Sequence, residues 1–346
     1  MPIKYILPEQ ALQQMPEVPL LDVRTPAEYK EAHIPGALNL PLFSDAERVE
    51  IGTLYKQASP DEAFLRGLEI VGPRMRPLVE EARLMAPGQR VQLHCWRGGQ
   101  RSRSVGWLLE TSGFQVELIK GGYKAYRAWV QQALSNIQAR MVILGGPTGA
   151  GKTTILEALQ SAGEQVIDLE GLARHKGSAF GGLGQEEQPT VRQFENELWQ
   201  ALQALDPNRR IWLENESRAI GRVYIPEGFW AAMLAAPLID LEVPREERLD
   251  RLVDGYARFS KPALKAAFLR IQKRLGGQHL KAALIALEVG NYWEAAGIAL
   301  TYYDKAYRYY TFEKNERKRV LPFASANSSP AETASALIAL ANENNL

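Results

Sequence analysis

Short apolar runs alternate with amphipathic helical patterns along the first part of the chain. Within the first 135 residues, the runs PLLDV, ALNLPL and VQLHC predict strands, and the stretches SVGWLLETSG and YKAYRAWVQQAL predict helices. Strands that alternate with helices are typical of an α/β fold with a mostly parallel sheet. We therefore predict a first α/β domain over residues 1–136.

The same alternation starts again further along the chain and predicts a second α/β domain. Strands are predicted at RMVILGG, EQVIDLEG, RRIWLENES and APLIDLEV, and helices at TTILEALQSAG and VRQFENELWQALQAL. Beyond Pro244 the strand signals fade, and successive helical patterns follow. Residues 137–346 are therefore predicted to form one domain with a helical, basic C-terminal extension from residue 245 or so.

Composition changes this picture only slightly. A chain of 346 residues with 46% hydrophobic residues can build two cores of ordinary size. One cysteine cannot form an internal disulfide, and the sequence has neither a leader pattern nor an apolar run of the eighteen or so residues that a membrane span requires. We expect a soluble protein of the reducing cytoplasm, without a membrane partner.

The charge is distributed unevenly along the chain. The net charge is +1, yet residues 245–319 contain 16 Lys and Arg against 9 Asp and Glu. Aromatic residues are interleaved with this charge, and RNA offers phosphates to the cations and unstacked bases to the rings. The candidate RNA-binding residues are Tyr307, Arg308 and Tyr310. A solvated helix whose tyrosines belong to the core is the alternative interpretation.

The stretch HCWRGGQRS contains the single cysteine, Cys95. Its two glycines permit a tight curl whose backbone amides can surround an anion, and the helix that follows adds partial positive charge. Nearby arginines and a helix N-terminus favour the thiolate form, so we predict Cys95 as a nucleophile rather than as a small core residue. The predicted donor-anion binding residues are Arg97, Gly98, Gly99 and Arg101.

The stretch GPTGAGKT matches the phosphate-loop pattern G-x4-G-K-T in full, between a predicted strand and a predicted helix. Glycines have no side chain and so leave their backbone amides exposed to phosphate oxygens. The lysine adds positive charge, and the threonine can bind Mg²⁺. The predicted phosphate-binding residues are Gly146, Gly149, Gly151, Lys152 and Thr153. Which phosphate-bearing ligand the loop binds is open at this point.

Two acidic residues follow predicted strands of the second domain. Asp168 ends the run QVID, and Glu214 ends the run RRIWLE. Carboxylates that order a metal or a phosphate are usually placed at such strand ends. A helix cap or a surface acid is the alternative for either residue.

The first domain resembles the rhodanese family. LLDVRTPAEYKEAHIPGALNLPL is similar to the N-terminal signature of that family, and HCWRGGQRS and GGYKAYRAW stand where it has its active loop and closing helix. The resemblance implies that Cys95 carries a chalcogen atom, as a persulfide or its selenium analogue, while the loop amides and Arg101 hold the donor. It assigns Asp22, Arg24 and His33 to the structural framework.

The cysteine loop departs from this family in one respect. Many rhodanese loops place an arginine five positions after the cysteine, whereas Arg101 stands six positions after Cys95. The resulting H-C-x5-R-S spacing is also similar to the signature of cysteine phosphatases. The loop alone leaves both a phosphatase and a chalcogen transferase open. A phosphatase is expected to have an acid for the leaving group, and no obvious Asp lies just beyond the loop.

A rhodanese-like domain followed by a phosphate loop and DLEGLARHKGSAFGGLG resembles, over nearly the whole chain, the family of bacterial tRNA 2-selenouridine synthases. The resemblance implies replacement of the sulfur of 2-thiouridine at the tRNA wobble position by selenium from selenophosphate, through an S-geranyl intermediate made from geranyl diphosphate. It implies tRNA and a selenophosphate-producing enzyme as partners; no cofactor is assigned, and Mg²⁺ stays open. The alternative is a phosphatase or sulfurtransferase with a nucleotide-regulated second domain.

Overall fold

The computed structural model of the chain describes residues 3–314, 319–325 and 328–346. Residues 315–318, a part of the predicted basic extension, lie outside the described residues. The chain divides into two compact units, each with its own five-stranded sheet. The first unit comprises Met1–Ala133 with Glu195–Glu197, and the second comprises Leu134–Phe194 with Leu198–Leu346.

The first unit is an α/β fold with a parallel sheet, as the alternating pattern predicts. Its strands are β1 Lys4–Ile6, β2 Leu20–Asp22, β3 Leu38–Asn39, β4 Arg90–His94 and β5 Gln115–Ile119. Its helices are α1 Pro8–Gln14, α2 Pro26–Glu31, α3 Asp45–Gln57, α4 Pro60–Val71, α5 Met75–Met85, α6 Gln100–Thr111 and α7 Gly122–Ser135. The strand order is β1-β5-β4-β2-β3, so the strand that leads into the cysteine loop is central. Leu21, Leu93 and Leu118 on the inner strands are fully buried.

The second unit is also an α/β fold with a parallel sheet. Its strands are β6 Met141–Gly145, β7 Gln165–Ile167, β8 Ile211–Glu214, β9 Ala219–Ile220, β10 Val223–Tyr224, β11 Leu238–Glu242 and β12 Val320–Ala324. The main sheet has the order β12-β11-β6-β8-β7, and β9 pairs with β10 in a separate antiparallel ribbon. The strand before the phosphate loop, β6, therefore lies between β11 and β8.

Helices cover this sheet and form the predicted C-terminal extension. They are α8 Lys152–Ser161, α9 Leu169–Ala173, α10 Val191–Gln203, α11 Glu227–Ala235, α12 Arg245–Tyr256, α13 Lys261–Arg270, α14 Gln272–Leu275, α15 Gly277–Glu288, α16 Tyr292–Arg308 and α17 Pro330–Glu343. A π-helical turn, Tyr309–Lys314, continues α16. The helices α13, α15 and α16 share an apolar cluster with Phe180, which precedes them in the chain. Among the described residues, every helix is too short or too polar to cross a bilayer.

One segment beyond Pro244 forms a strand that the sequence does not predict. Residues Val320–Ala324 form β12, which pairs in parallel with β11 at the edge of the sheet. Pro322 has no amide hydrogen, a loss that an edge strand tolerates. A short run interrupted by proline carries little alternating pattern, which is why the sequence does not predict this strand.

Candidate functional site

The cysteine loop joins a buried strand to a helix in the first unit. Strand β4 ends at His94, Cys95 follows with only 3% of its surface exposed, and α6 begins at Gln100. Gly98 adopts a φ of +64°, a conformation that favours glycine. A Cβ on Gly122 would lie 2.3 Å from the Cys95 carbonyl oxygen. The loop is therefore held by close backbone contact as well as by its own glycines.

The Cys95 thiol has a hydroxyl and an arginine in its surroundings. Its Sγ atom lies 3.3 Å from Ser102 Oγ, and Ser102 donates to the Gly99 carbonyl at 3.2 Å. Arg101 forms a two-pronged ion pair with Glu28, at 2.5 Å and 3.1 Å. Burial alone would raise the pKa of Glu28, but the hydrogen bonds and charge of Arg101 lower it. Arg101 thus stays charged, and Glu28 holds its guanidinium within electrostatic range of Cys95.

The backbone amides of the loop are free to bind an anion. Within the part of the chain that the structure describes, the amides of residues 97–99 donate to no protein acceptor. Arg97 is exposed at this segment. Together with the N-terminus of α6, these groups have the character of an anion-binding nest. Donor binding by Arg97, Gly98, Gly99 and Arg101 stays a prediction.

Asp22, Arg24 and His94 form a buried polar cluster next to the loop, and His33 is half-buried. Arg24 Nη2 lies 2.5 Å from Asp22 Oδ2, and its guanidinium stacks 4.0 Å from the ring centre of Tyr123. Burial lowers the pKa of His94, which therefore stays neutral beside Asp22. His33 stacks on a tyrosine ring at 4.0 Å. These contacts support the structural role that the rhodanese resemblance assigns to Asp22, Arg24 and His33.

The phosphate loop has the strand–loop–helix setting that its motif requires. It follows β6, and α8 begins at Lys152, with Thr153 as the second residue of the helix. Gly146, Gly149 and Gly151 have φ angles of +141°, +83° and +85°, which other residues rarely adopt. Lys152 Nζ donates to the Gly146 carbonyl at 3.1 Å, so the ammonium lies over the loop.

Tyr307 is a neighbour of the phosphate loop rather than a free surface ring. Its hydroxyl donates to Asp240 Oδ1 and accepts from the Gly146 amide at 2.6 Å. Burial and the nearby Asp240 carboxylate raise the pKa of Tyr307, so this hydroxyl keeps its proton. The hydroxyl of Tyr307 is thus engaged within the protein, while the residue also lines the cleft around the loop, and its contact with tRNA stays a prediction. Arg308 and Tyr310 are exposed.

The two predicted acids take different positions. Asp168 Oδ1 accepts from the Gly171 amide at 2.7 Å and caps α9, as the alternative interpretation holds. Glu214 is buried at the end of β8, and its Oε1 accepts from the Glu170 amide at 2.6 Å. A further acid, Glu216, belongs to the same group, and burial raises its pKa well above the ordinary value.

These acids do not form a ready metal centre. Among the described residues, no group of three or more His, Cys, Asp and Glu side chains is arranged to hold a metal ion. Mg²⁺ in phosphate-binding sites often uses one or two protein ligands together with phosphate oxygens. A metal-ordering role for Asp168 or Glu214 therefore stays a prediction that depends on a bound phosphate.

We expect Glu214 to make the free energy of unfolding fall as pH rises. Burial, with repulsion from Asp168, raises the pKa of Glu214 to about 8 from 4.5. Between pH 4.5 and about 8 the folded protein therefore keeps a proton on Glu214 that the unfolded chain releases. The resulting stabilisation is complete below pH 4.5 and is lost as pH rises through about 8. Glu214→Gln should flatten the pH dependence of urea unfolding across this window.

A suitable control is Glu164→Gln. Burial opposes ionisation of Glu164, but Arg210 lowers its pKa, so this residue titrates below the window in which Glu214 acts. The control should keep the wild-type dependence on pH. An unchanged slope in Glu214→Gln would contradict the assignment.

A large cleft of the second unit, with a volume of about 1630 Å³, contains the phosphate loop. Its walls include the predicted acids, several exposed cations and tyrosines. Among the lining residues are Lys152, Thr153, Asp168, Arg174, Glu214, Arg218, Arg222, Arg274, Tyr302, Tyr310 and Lys314. Arg308 is not among them. The second unit thus combines a phosphate loop with a basic, aromatic wall.

Comparisons with known proteins cover both units. Residues 7–129 match the family model of the rhodanese-like domain, and residues 139–329 match that of the tRNA 2-selenouridine synthase AAA domain. Three relatives are each named tRNA 2-selenouridine synthase. The protein of Sulfurovum sp. is 38% identical over 289 residues, covering 76% of this chain and 77% of the relative. That of Bdellovibrio bacteriovorus is 39% identical over 270 residues (74% and 69%), and that of Shewanella denitrificans is 35% identical over 339 residues (86% and 90%).

Proposed function

The chain belongs to the tRNA 2-selenouridine synthase family, and from this membership we propose that it is a transferase that converts 2-thiouridine at the tRNA wobble position into 2-selenouridine. The main supporting observation is that each unit has a glycine-containing loop that leads into a helix N-terminus, one at Cys95 and one at Lys152, and such loops are suited to bind anions. A reaction with two different anionic donors needs two such loops. We propose selenophosphate, supplied by a selenophosphate-producing enzyme, for the first and geranyl diphosphate for the second.

The first proposed step is alkylation of the tRNA sulfur. The sulfur of 2-thiouridine forms a bond to C1 of the geranyl group, the bond between C1 and the diphosphate oxygen breaks, and the base loses its N3 proton. The products are S-geranyl tRNA, diphosphate and a proton. Loop amides and the Lys152 ammonium would stabilise the charge on the departing diphosphate. Mg²⁺ held by the Thr153 hydroxyl and phosphate oxygens would add positive charge there.

The second proposed step exchanges sulfur for selenium. A bond forms between selenium and C2 of the base, the bond between C2 and the geranylated sulfur breaks, and the base regains a proton. Water takes the place of selenium on phosphorus. The products are 2-selenouridine in tRNA, geranylthiol and phosphate, so atoms and electrons balance without an oxidant.

Cys95 is proposed to act on the selenium donor. Selenium in selenophosphate has the oxidation level of selenide, so transfer to the thiol as a selenium–sulfur bond would need an oxidant. Attack of the Cys95 thiolate on phosphorus needs none, because it forms a sulfur–phosphorus bond, releases selenide for the base, and lets water return the phosphoryl group as phosphate. Mass spectrometry of the Cys95 peptide distinguishes this route from the carrier role that the rhodanese resemblance implies.

The test of the whole proposal is mass spectrometry of tRNA nucleosides. The protein would be incubated with thiolated tRNA, selenophosphate and geranyl diphosphate, and both the S-geranyl and the 2-seleno nucleosides are expected. Release of phosphate from an aryl phosphate, without either nucleoside, would instead support a cysteine phosphatase. Sulfur transfer to an acceptor thiol without these nucleosides would support a sulfurtransferase.

We expect the exposed residues at the end of α16 and in the π-helical turn that follows it to contribute to tRNA affinity. Replacing both Arg308 and Tyr310 by alanine should raise the Kd for tRNA about tenfold or more, because base stacking on one ring contributes about 1–3 kcal/mol. Loss of a phosphate contact should also reduce the slope of log affinity against log salt by about one. Filter binding over a series of salt concentrations measures both quantities.

The matched control removes an arginine from the first unit. Arg76 is an exposed residue of α5 that pairs with Glu80, and Arg76→Ala should leave the affinity and its salt dependence unchanged. If the double variant behaves like this control, the surface at the end of α16 is only a solvated helix face.

A further inference from the structure

The end of α16 and the π-helical turn after it have two different sides. Arg308 and Tyr310 are exposed, and they are residues for which we predict tRNA contacts. Thr311 is only 3% exposed, and its hydroxyl shares a hydrogen bond with that of the half-buried Tyr307. Tyr307 and Thr311 thus form the inward side of this segment.

The inward side is bonded to three neighbouring strands of the second sheet. Asn215, directly after β8, donates to the Thr311 hydroxyl at 3.1 Å. The Tyr307 hydroxyl donates to Asp240 of β11 and accepts from the amide of Gly146, directly after β6. These strands have the order β11-β6-β8 in the sheet. One chain of hydrogen bonds therefore joins α16 to the strand from which the phosphate loop starts.

Gly145, the residue before the phosphate-loop motif, leaves room for this contact. A Cβ atom on Gly145 would lie 2.8 Å from the Tyr307 hydroxyl and 3.1 Å from Asp240 Oδ1. A side chain at this position would displace the hydroxyl from the Gly146 amide. The glycine is therefore explained by the close approach of Tyr307 to the backbone.

The Gly146 peptide is held at both of its polar atoms. Its amide donates to Tyr307 at 2.6 Å, and its carbonyl accepts from Lys152 Nζ at 3.1 Å. Within the described ranges, the amides of Gly149, Gly151 and Lys152 donate to no protein acceptor, which leaves them for phosphate oxygens. The Gly146 amide thus anchors the loop whose other amides are free.

The loop needs an anchor because three residues of its motif are glycines. Gly146, Gly149 and Gly151 give the backbone more accessible conformations than other residues would. A ligand that has to order such a loop loses binding free energy, whereas a loop that is held beforehand avoids this cost. The bond from Gly146 to Tyr307 holds the first residue of the motif to a helix.

We propose that Tyr307 is a positioning residue for the phosphate loop, and that with Asp240 it fixes the Gly146 peptide so that the free amides and Lys152 receive a diphosphate group. The inference rests on the proposed function, because it takes a diphosphate as the ligand of the loop. Asp240 accepts the hydrogen bond of the hydroxyl, which leaves the phenolic oxygen as the acceptor for the Gly146 amide. Phenylalanine would keep the ring and lose both bonds.

The first test measures the Kd of Tyr307→Phe for inorganic diphosphate by isothermal titration calorimetry. We expect the Kd to rise about tenfold, the factor that corresponds to the net loss of about one hydrogen bond. The KM for geranyl diphosphate in the alkylation of thiolated tRNA should rise by a similar factor. Selenation of tRNA that already carries the S-geranyl group should not change, because that step uses no diphosphate.

The matched control is Tyr303→Phe. Tyr303 lies one turn earlier on α16, and its hydroxyl also accepts from a backbone amide, that of Ala179, at 3.1 Å. Ala179 lies outside the phosphate loop. The control therefore loses a comparable hydrogen bond of the same helix and should keep the wild-type Kd for diphosphate.

Two substitutions of Asp240 separate the hydrogen bond from the charge. Asp240→Asn and Asp240→Ala both remove the carboxylate, but only asparagine keeps an oxygen that accepts from the Tyr307 hydroxyl. With Tyr307 present, Asp240→Ala should bind diphosphate several-fold more weakly than Asp240→Asn. Combined with Tyr307→Phe, the two should bind equally, because the acceptor has lost its donor. A difference that persists in the combined variants would contradict the proposal.

The outcomes for the tyrosine variants are distinct. A higher Kd in Tyr307→Phe with the wild-type Kd in Tyr303→Phe supports the positioning role. An unchanged Kd in Tyr307→Phe, or an equal rise in both variants, overturns it while the proposed function stands. Loss of tRNA affinity alone in Tyr307→Phe also overturns it, because the hydroxyl would then serve tRNA. If the wild-type protein neither binds diphosphate nor forms the S-geranyl nucleoside, the proposed donor fails and the positioning role fails with it.

Discussion

Cys95→Ala is expected to abolish selenium incorporation into tRNA while the fold and tRNA binding persist. The thiol is buried against Ser102, and its loss removes the one group of the loop that can attack the donor. Removing a single buried sulfur leaves a small cavity, which costs about 1 kcal/mol and leaves the domain folded. Mass spectrometry of tRNA nucleosides measures selenation, and circular dichroism and filter binding check the other two properties.

A stricter variant is Cys95→Ser. The hydroxyl has nearly the size of the thiol but ionises far less readily, so selenation should also be lost. Ser102→Ala is the informative companion, because it removes the hydroxyl beside Sγ and keeps the thiol. Its activity should fall much less than that of Cys95→Ser. Full selenation by Cys95→Ala would exclude a chemical role for this cysteine.

Lys152→Ala is expected to lower the rate of geranylation about 100-fold. A well-placed donor in a comparable anion site contributes about 3 kcal/mol of transition-state stabilisation, which corresponds to that factor. Lys152 lies over the loop through its bond to the Gly146 carbonyl, where the leaving diphosphate would develop charge. Selenation of tRNA that already carries the S-geranyl group should survive, because that step releases no diphosphate. Single-turnover assays of the two steps measure the difference.

The control for Lys152→Ala is Lys281→Ala, which removes an exposed charge of α15 outside the cleft. Both steps should proceed at the wild-type rate in this variant. Equal loss of both steps in Lys152→Ala, or a requirement for ATP hydrolysis during geranylation, would show that the loop has another ligand.

Local sequence was enough to predict both loops and their flanking elements. The glycines at 98, 146, 149 and 151 adopt positive φ angles that a tight anion loop requires, and their spacing is visible without any structure. Glu214 could also be placed at a strand end, since the apolar run before it predicts β8. In each case the signal and the structure lie within a few neighbouring residues.

Contacts between distant segments could not be predicted in this way. Glu28 stands far from Arg101 in the sequence, and only the parallel pairing of β2 with β4 brings their regions together. Tyr307 carries no sign that its hydroxyl contacts the Gly146 amide. The small apolar pocket of the second unit is lined by residues of α12, α13, α15 and α16, whose apolar residues, read singly, predict only a core.

The placement of β12 and α17 has a consequence for the order in which the protein matures on the ribosome. The second sheet needs β12 as the partner of β11, and α17 packs Ala334 and Leu337 against the apolar face of α8, the helix that carries Lys152. The strands of the first sheet all precede residue 120 and can assemble early, as N-terminal domains generally do. A nascent chain would therefore acquire its thiol loop first and its supported phosphate loop only after residues 320–343 have been made. Until then the apolar face of α8 that α17 covers stays exposed to solvent.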